Sequence, residues 1–554
     1  MSEKITTTTS ATAGDPELTQ IRSRIFSHTD GLERATSRAS LEEQEDLKLA
    51  EMGYKPELRR NFSAWSLLGI GFGLTNSWFG ISASLVTGIY SGGPLMIVYG
   101  ILIIAFVSTF IGITLSELAS AFPNSGGQYY WTMVLAPRKQ APFLAYMCGA
   151  LAWAGSVFSA ASTSMSVAQV IVGMHALLAG PDFVVKDWMV FVTFQIVNLV
   201  AFLFNCYGKL LPYFAKAALY ISLISYFTIT VTVLACSSGR YQSAHFVFVQ
   251  FNNQTGWKSS GIAFIVGLIN PNWCFSCLDS ATHMAEEALE PERKIPIAIM
   301  GTVAIGFLTS FTYVIAMFFS VNNLDEIFNS NTLVPIIDIY YQALRNKGGT
   351  IWLMVMFLLT AFGCNMSGQT WMTRLCWSFS RDNGLLGSKY WSIIHPTLGV
   401  PLNANIMSCC WVAFAGCLYL VSTSGFNSMV VGTITFLLLS YAIPVVCLLL
   451  KGRNNIQHGP FWLGPLGYIA NVITLLWTLF ALVFFSFPFT IPVTKDNMNY
   501  MSVVIVGYSV WCVAYWFVRG HRVFKTTEMR LSPNGEFVEV EKTDDTNVTE
   551  EIKQ

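Results

Sequence analysis

An acid, an imidazole and a pair of glutamates follow one another in the stretch GLINPNWCFSCLDSATHMAEE (Gly267–Glu287): Asp279, His283, Glu286 and Glu287. Side chains of these types can hold a cation or pass a proton. A carboxylate supplies a counter-charge, and an imidazole changes its charge near neutral pH, so it can relay a proton or close a gate by a hydrogen bond. The stretch lies in a strongly apolar part of the chain, yet its middle carries Asn270-Pro271. Proline removes a helix hydrogen bond, so a break is expected there, with Asn270, Trp273 and Phe275 beside it. An acid near the centre of a membrane helix costs at least ~2.5 kcal/mol and marks function by default. The competing reading is that the helix ends early and Asp279 meets water. Glu286 and Glu287 are expected at the water boundary, as an inner gate or paired with Arg293 or Lys294.

A second interrupted stretch, GIGFGLTNSWFGIS, sets Gly69, Gly71, Gly73 and Gly80 around Thr75, Asn76 and Ser77. Glycines at this spacing can simply let helices pack closely. Two interruptions at matching places in two halves of a chain point instead to a binding site near the bilayer midplane. Freed backbone groups survive in a membrane only where they face protein or a wet cavity.

The elements that must position these residues follow from composition. The 554 residues are 53% hydrophobic and 12% charged, with mean hydropathy +0.51. Soluble domains carry about 25% charged residues, so this is an integral membrane protein. A net charge of zero gives no bias toward nucleic acid. The cysteines sit mostly in apolar runs, which argues against a disulfide framework or a metal site. The Cys274/Cys277 pair lies inside a membrane segment and gives no redox expectation. No Walker loop, nucleophile elbow or metal-ligand cluster is present, so neither an enzyme nor a cofactor is expected.

Runs of about 20 apolar residues span a bilayer. Twelve are found, at 65–90, 94–118, 141–174, 188–206, 213–236, 261–283, 296–320, 350–379, 402–421, 427–449, 466–487 and 499–518. Lys and Arg are denser in the alternate connections that hold Arg59, Arg60, Arg138, Lys139, Arg293, Lys294, Lys451 and Arg453 than in those that hold Lys186, Arg240, Lys258 and Lys495. The positive-inside rule then places both termini in the cytosol. The sequon Asn253-Gln254-Thr255 falls in an outer loop, where it could be glycosylated. Residues 1–60 are polar, without a secretory signal, and 519–554 end in an acidic run. Both are expected as disordered cytosolic tails around a transporter domain at 61–518, with phosphorylation possible near Arg34 and Arg38.

Several stretches together resemble the amino acid–choline permeases of the amino acid–polyamine–organocation superfamily. They are GFGLTNSWFGIS, the SGGP turn (Ser91–Pro94), SELASAFPNSGGQYYW (Ser116–Trp131), DSATHMAEE (Asp279–Glu287), IPIAIMG (Ile295–Gly301) and SFSRDNGL (Ser378–Leu385). The resemblance runs from about Leu49 to Val518. Within that family AYMCGALAWAGSVFSAAST, FNCYGKLLP, HGPFWLG and SFPFTIPVTKDNMNY are similar to the fungal choline permeases. It implies an all-α membrane fold of the LeuT type, a five-plus-five inverted repeat with helices 1 and 6 broken, residing in the plasma membrane.

The resemblance also implies a substrate held between segments one, three, six, eight and ten. Carried over, segment one offers Thr75, Asn76, Ser77, Trp78 and Phe79, and segment six offers Asn270, Trp273, Phe275 and Asp279. Trp273 falls where relatives close an aromatic over the substrate, and Asp279 where some couple binding to gating. Glu117 is implied as an inner-face ion pair or helix contact. A quaternary ammonium is usually held by aromatic faces, each worth roughly 0.5–2 kcal/mol. Trp78, Phe79, Trp153, Trp273, Phe275 and Trp371 are candidates for such a box, and Asn76, Asn365 or Gln369 for the hydroxyl. For most of these tryptophans packing is the competing role. Asp279 supplies a counter-charge or a proton, His283 and Glu286 gate, and Arg374 can pair with one of the acids. The expected activity is import of choline, with ethanolamine a further candidate substrate, driven by the membrane potential, by a proton gradient or by both. The alternative is a permease for GABA or another amino acid or polyamine, which would cradle a carboxylate on backbone N–H groups at GIGFG. A nutrient receptor on the same fold would need a longer structured tail.

Overall fold

The computed structural model describes residues 39–421, 425–495, 497–524, 527–531 and 537–541. The positions near Arg34 and Arg38 and the acidic terminus beyond 541 lie outside them. Two compact units form, Met1–Pro56 with Met529–Val538, and Glu57–Glu528 with Glu539–Gln554. In the first, residues 39–51 form a helix, because SLEEQEDLKLAE is rich in strong helix formers. Short strands lie at Thr527–Leu531 and Phe537–Glu541.

The larger unit is helical. Among the described residues ten helices are long and apolar enough to cross a membrane: Gly93–Ala121, Ala141–Ala179, Asp187–Phe204, Leu211–Cys236, Pro291–Ser320, Lys347–Arg381, Leu402–Leu420, Gly425–Lys451, Pro465–Phe484 and Met501–Val523. The best buried is Ala141–Ala179, with 78% of its most apolar window inside the protein, against 11% for Met501–Val523. Large apolar side chains such as Phe227, Leu308, Trp352, Leu359, Phe414 and Val506 lie exposed. So much apolar surface on helices with internally bonded backbones suits lipid rather than water.

Segments one and six of the sequence reading are missing from those ten because each is divided. The first runs as Ala64–Thr75, Ser77–Ala83 and Leu85–Tyr90. Its main interruption is one residue, Asn76, in the left-handed region at φ 30°, which Asn tolerates better than most residues. Asn76 N still donates to Phe72 O at 2.7 Å, and Gly80 N to Asn76 O at 2.9 Å, so the chain turns without losing either helix end. The glycines before it serve packing. A Cβ on Gly69 would lie 2.5 Å from Ala215 O, and one on Gly73 2.9 Å from Ser367 Oγ.

The second divided segment runs as Ser260–Gly267 and Ile269–Cys274, then non-helical chain, then a short 3-10 turn at Thr282–Glu287. A first, narrow interruption at Leu268 lies one turn before Pro271, which has no N–H to bond Gly267 O, and the wider break comes later than the sequence suggested. Pro271 sits in the first turn of Ile269–Cys274, where its missing N–H costs little. The helix stops instead after Cys274, and Cys277 takes φ 63°. The two segments are tied at their breaks: Ser77 Oγ donates to Cys274 O at 2.8 Å, and Thr75 Oγ1 to Ser276 O at 3.1 Å. At the segment's start, Asn252–Asn253 pairs antiparallel with Ser91–Gly92. The sequon's Asn253 is engaged there: its Nδ2 donates to Trp257 O at 2.7 Å, and its Oδ1 accepts from Thr255.

Candidate functional site

Between the two breaks lies a narrow cavity lined by Thr75, Phe79, Trp273, Ser276 and Cys277, by Ser159 and Thr163 of the Ala141–Ala179 helix, and by Cys364 of Lys347–Arg381. Its volume is about 10 Å³, roughly one water. The protein is thus closed around this point. Trp273 packs edge-on against Phe426 of Gly425–Lys451, ring centroids 6.1 Å apart. Three long helices thereby meet the two broken segments here. The wall is mixed: two aromatic rings, hydroxyls and thiols, with the carbonyl ends of Ala64–Thr75 and Ile269–Cys274 close by. Those carbonyl ends carry partial negative charge, and each carbonyl keeps a second lone pair beyond the hydroxyl or thiol that already bonds it.

Of the residues read from the sequence, Thr75, Phe79 and Trp273 line this cavity. The others do not. Asn76 turns aside, its Oδ1 accepting from Ser222 Oγ at 3.1 Å, and Trp78 Nε1 donates to the same Ser222 at 2.9 Å. The Trp78 ring is fully buried among Tyr313, Phe357 and Tyr226, centroids 5.3, 5.8 and 6.3 Å away. Ser77 caps the Cys274 carbonyl. Asn270 holds the first segment through Ile81 O and Ser84 Oγ. Phe275 is buried without lining the cavity, lying near Gly306. Trp153 sits edge-on to Trp411, centroids 6.1 Å apart, and Gln369 bonds Asn198 and Cys409. The six-ring box therefore reduces to Phe79 and Trp273. Asn365 and Trp371 sit nearby on the same helix as Cys364, and Asn365 Nδ2 and Trp371 Nε1 are buried without a partner.

Ser159, Thr163, Ser276, Cys277 and Cys364 escaped the sequence reading. Ser159 and Thr163 are one helical turn apart in SVFSAASTS, and that spacing was the available signal. Nothing in the sequence marks Cys277 or Cys364 beyond their small size.

Beyond the break lies a polar knot. Asp279 has no exposure to water, which excludes the reading in which it meets solvent. Its Oδ2 accepts from Gln128 Nε2 at 2.6 Å and faces His283 Nε2 at 3.1 Å, while Oδ1 accepts from Tyr441 at 2.5 Å. His283 Nδ1 lies 2.7 Å from the Ser125 carbonyl. A carbonyl only accepts, so Nδ1 carries a hydrogen. Nε2 and Asp279 Oδ2 must then share one further proton, on one side or the other, for that contact to be attractive.

Further along, two bidentate ion pairs join the second broken segment to Lys347–Arg381. Arg374 Nε meets Glu287 Oε1 at 2.8 Å, and Arg381 Nη1 and Nη2 meet Glu286 Oε2 and Oε1, both at 2.8 Å. The expected pairing with Arg293 or Lys294 is not formed; Lys294 instead faces Glu290 at 3.3 Å. Phe62 N donates to Glu287 O at 2.9 Å, so the start of the first segment is fastened to the same cluster. Glu117 pairs with Arg453 at 2.8 Å and accepts from Leu463 N. The glycine run GIGFG offers no anion cradle, since it lies within the Ala64–Thr75 helix.

A closed cavity between two broken helices, framed by membrane-length helices and locked at one end by ion pairs, defines a membrane transporter. Residues 62–509 match the amino acid permease family, and the chain belongs to that family. It is 59% identical over 480 residues, 87% of this chain and 85% of the other, to a choline transporter of Saccharomyces cerevisiae. It is also 36% identical to a 7-keto 8-aminopelargonic acid transporter of the same yeast, covering 82% and 91% of the two chains. A swainsonine transporter of Arthroderma benhamiae is 34% identical, covering 85% and 93%.

Proposed function

We propose that this protein is a permease that imports choline, and ethanolamine with it, across the plasma membrane by alternating access. The observation that carries the reading is the 59% identity to a choline transporter along most of both chains. The geometry agrees. A quaternary ammonium donates no strong hydrogen bond and is held by ring faces, which Phe79 and Trp273 offer. Ser159, Thr163 and the carbonyls at the break take the hydroxyl and the remaining positive charge. In this reading the ten long helices and the two divided segments make twelve crossings, arranged as a five-plus-five inverted repeat with both termini in the cytosol.

The transport cycle follows from the ties described. The Glu286–Arg381 and Glu287–Arg374 pairs and the Phe62–Glu287 bond close the cytosolic side. Release inward requires them to part, with the helices on either side of each break swinging about Asn76 and Cys277. Asp279 links this lock to the cavity, since Cys277 lines the site two residues before it and His283 precedes the two glutamates. A cation moving inward gains ~2.3 kcal/mol per 100 mV of membrane potential, about a fifty-fold concentration ratio. The proton shared by Asp279 and His283 gives a place for proton coupling to add to that drive.

The test is uptake of labelled choline by yeast lacking its own choline transport, with and without this chain, against excess ethanolamine or GABA and with a protonophore. Saturable uptake blocked by ethanolamine and untouched by GABA supports the reading. Uptake of GABA in place of choline overturns it.

A further inference from the structure

A second cavity lies beyond the far end of the first broken segment. It holds about 100 Å³, against about 10 Å³ for the central site, room for several waters or for a trimethylammonium head. Ile89 and Tyr90 form one wall, and Phe328, Thr332 and Asp338, from the connection after Pro291–Ser320, form the other. This is the end opposite the ion pairs. The connection leads into Lys347, and the helix that starts there carries Arg381 at its other end, about 50 Å away. Tyr90 is about 15 Å along its segment from Gly80 at the central cavity.

Asp338 accepts from Ser330 Oγ at 2.8 Å and from Thr332 Oγ1 at 2.5 Å. Among the described residues no cationic side chain pairs with it, and burial pushes its carboxyl above the ordinary value against those two hydroxyls and its own backbone N–H. These donors are neutral and leave lone-pair capacity on the carboxylate open, so no full counter-charge faces it. The Tyr90 and Phe328 rings meet edge-to-face beside it, centroids 4.9 Å apart. The wall is rigid. Asn331 Nδ2 donates to Phe183 O at 2.8 Å, and a Cβ on Gly173 would run into the Thr332 carbonyl. Leu333 is held at φ 66°, a conformation that a bulky residue keeps only when its surroundings impose it.

We propose that this cavity is an outer subsite for the quaternary ammonium group, where Asp338, Tyr90 and Phe328 collect the cationic substrate before it reaches the cavity between the breaks. The proposal rests on the choline reading above. A focused negative charge in a low-dielectric cleft raises the local concentration of a cation, and ring faces select an alkylated ammonium over a hydrated metal ion. The competing role for Asp338 is structural: it sits in the first turn of Pro335–Leu344 and braces its own loop.

The experiment measures uptake of labelled choline by the full chain in choline-transport-deficient yeast, per molecule at the cell surface, for Asp338→Asn, Tyr90→Leu and Tyr90→Phe. Asparagine keeps the size and removes the charge, accepting from one of the two hydroxyls and donating to the other. Asp338→Asn is expected to raise KM about 10-fold, leave the maximal rate unchanged and flatten the dependence of KM on ionic strength. Tyr90→Leu is expected to raise KM about 3-fold, with Tyr90→Phe close to wild type. An unchanged KM in Asp338→Asn and Tyr90→Leu overturns the subsite while leaving the choline reading intact. So does a rise in KM with undiminished salt dependence and lower heat stability, which marks a loop brace. Absence of choline uptake by the wild-type chain at the surface overturns both.

Discussion

Removing one member of the Arg374–Glu287 pair should damage the protein far more than removing both. Arg374 has no exposure and the Glu287 side chain 7%, so neither charge can turn to water when its partner is lost. Stranding a buried charge costs ~3–5 kcal/mol, whereas replacing both charges with apolar groups of similar volume is near neutral. Arg374→Met and Glu287→Met should therefore each lower heat stability in detergent, and the double variant should recover most of the loss. Additive behaviour would sum to ~6–10 kcal/mol, so the two outcomes are far apart. The Nη1 of Arg374 already lacks a partner, which makes Glu287→Met the worse single change. The assay is a melting series by intrinsic fluorescence on the purified full chain, with choline uptake alongside. If the pair locks the cytosolic side, the double variant should fold yet transport with an altered KM, because the lock no longer favours the closed state. A double variant no more stable than the two losses added together would refute the reasoning.

Gly69→Ala should abolish surface expression, since its Cβ would meet the Ala215 backbone at 2.5 and 2.8 Å and overpacking costs ~1–3 kcal/mol or more; normal expression by immunoblot would contradict it. Tyr441→Phe deletes one hydrogen bond to Asp279. A bond to a charged group is worth ~1.5–3 kcal/mol, so uptake should fall about 10- to 100-fold if that network couples binding to opening, as a rate series would show. Burial raises the Asp338 carboxyl above its ordinary value of 3.8, so its charged form is disfavoured in the folded chain. Stability is then lost as pH rises from about 4 through the folded value, and stays lower at neutral pH. Melting curves of wild type and Asp338→Asn should converge near pH 4 and separate above it, the variant being the more stable; the reverse order would count against the burial argument.

The membrane class, the long helices and the two interrupted segments were legible because they rest on composition and on residues with special backbone behaviour. Asn76 could be read as a break, since few other residues accept its dihedral angles. The second break was misplaced. Proline divides the segment only one turn upstream, at Leu268, and the wider break begins where Ile269–Cys274 stops, with Cys277 left-handed three residues further on, a position no sequence rule marks. Among the site residues, types alone over-counted the aromatics. Trp78 and Trp153 lie on the same helices as cavity-lining residues but face other neighbours, and that facing depends on how the helices rotate against each other. Ser159, Thr163 and Cys364 were missed for the converse reason: they are small and ordinary, and only the approach of two long helices to the two broken segments brings them together. The acids were easier to find than their partners. Glu286 and Glu287 pair with Arg381 and Arg374, far away in sequence, rather than with the nearby Arg293 and Lys294.

The most direct test of the central claim, that a quaternary ammonium is held between the two breaks, is equilibrium binding of labelled choline to the purified full chain, comparing wild type with Trp273→Ala and Trp153→Ala. Trp273 lines the cavity and Trp153 packs elsewhere. Wild type should bind saturably, with affinity weakened at least about 5-fold by Trp273→Ala and little changed by Trp153→Ala. Equal affinity in wild type and Trp273→Ala, with both proteins folded, would contradict the claim.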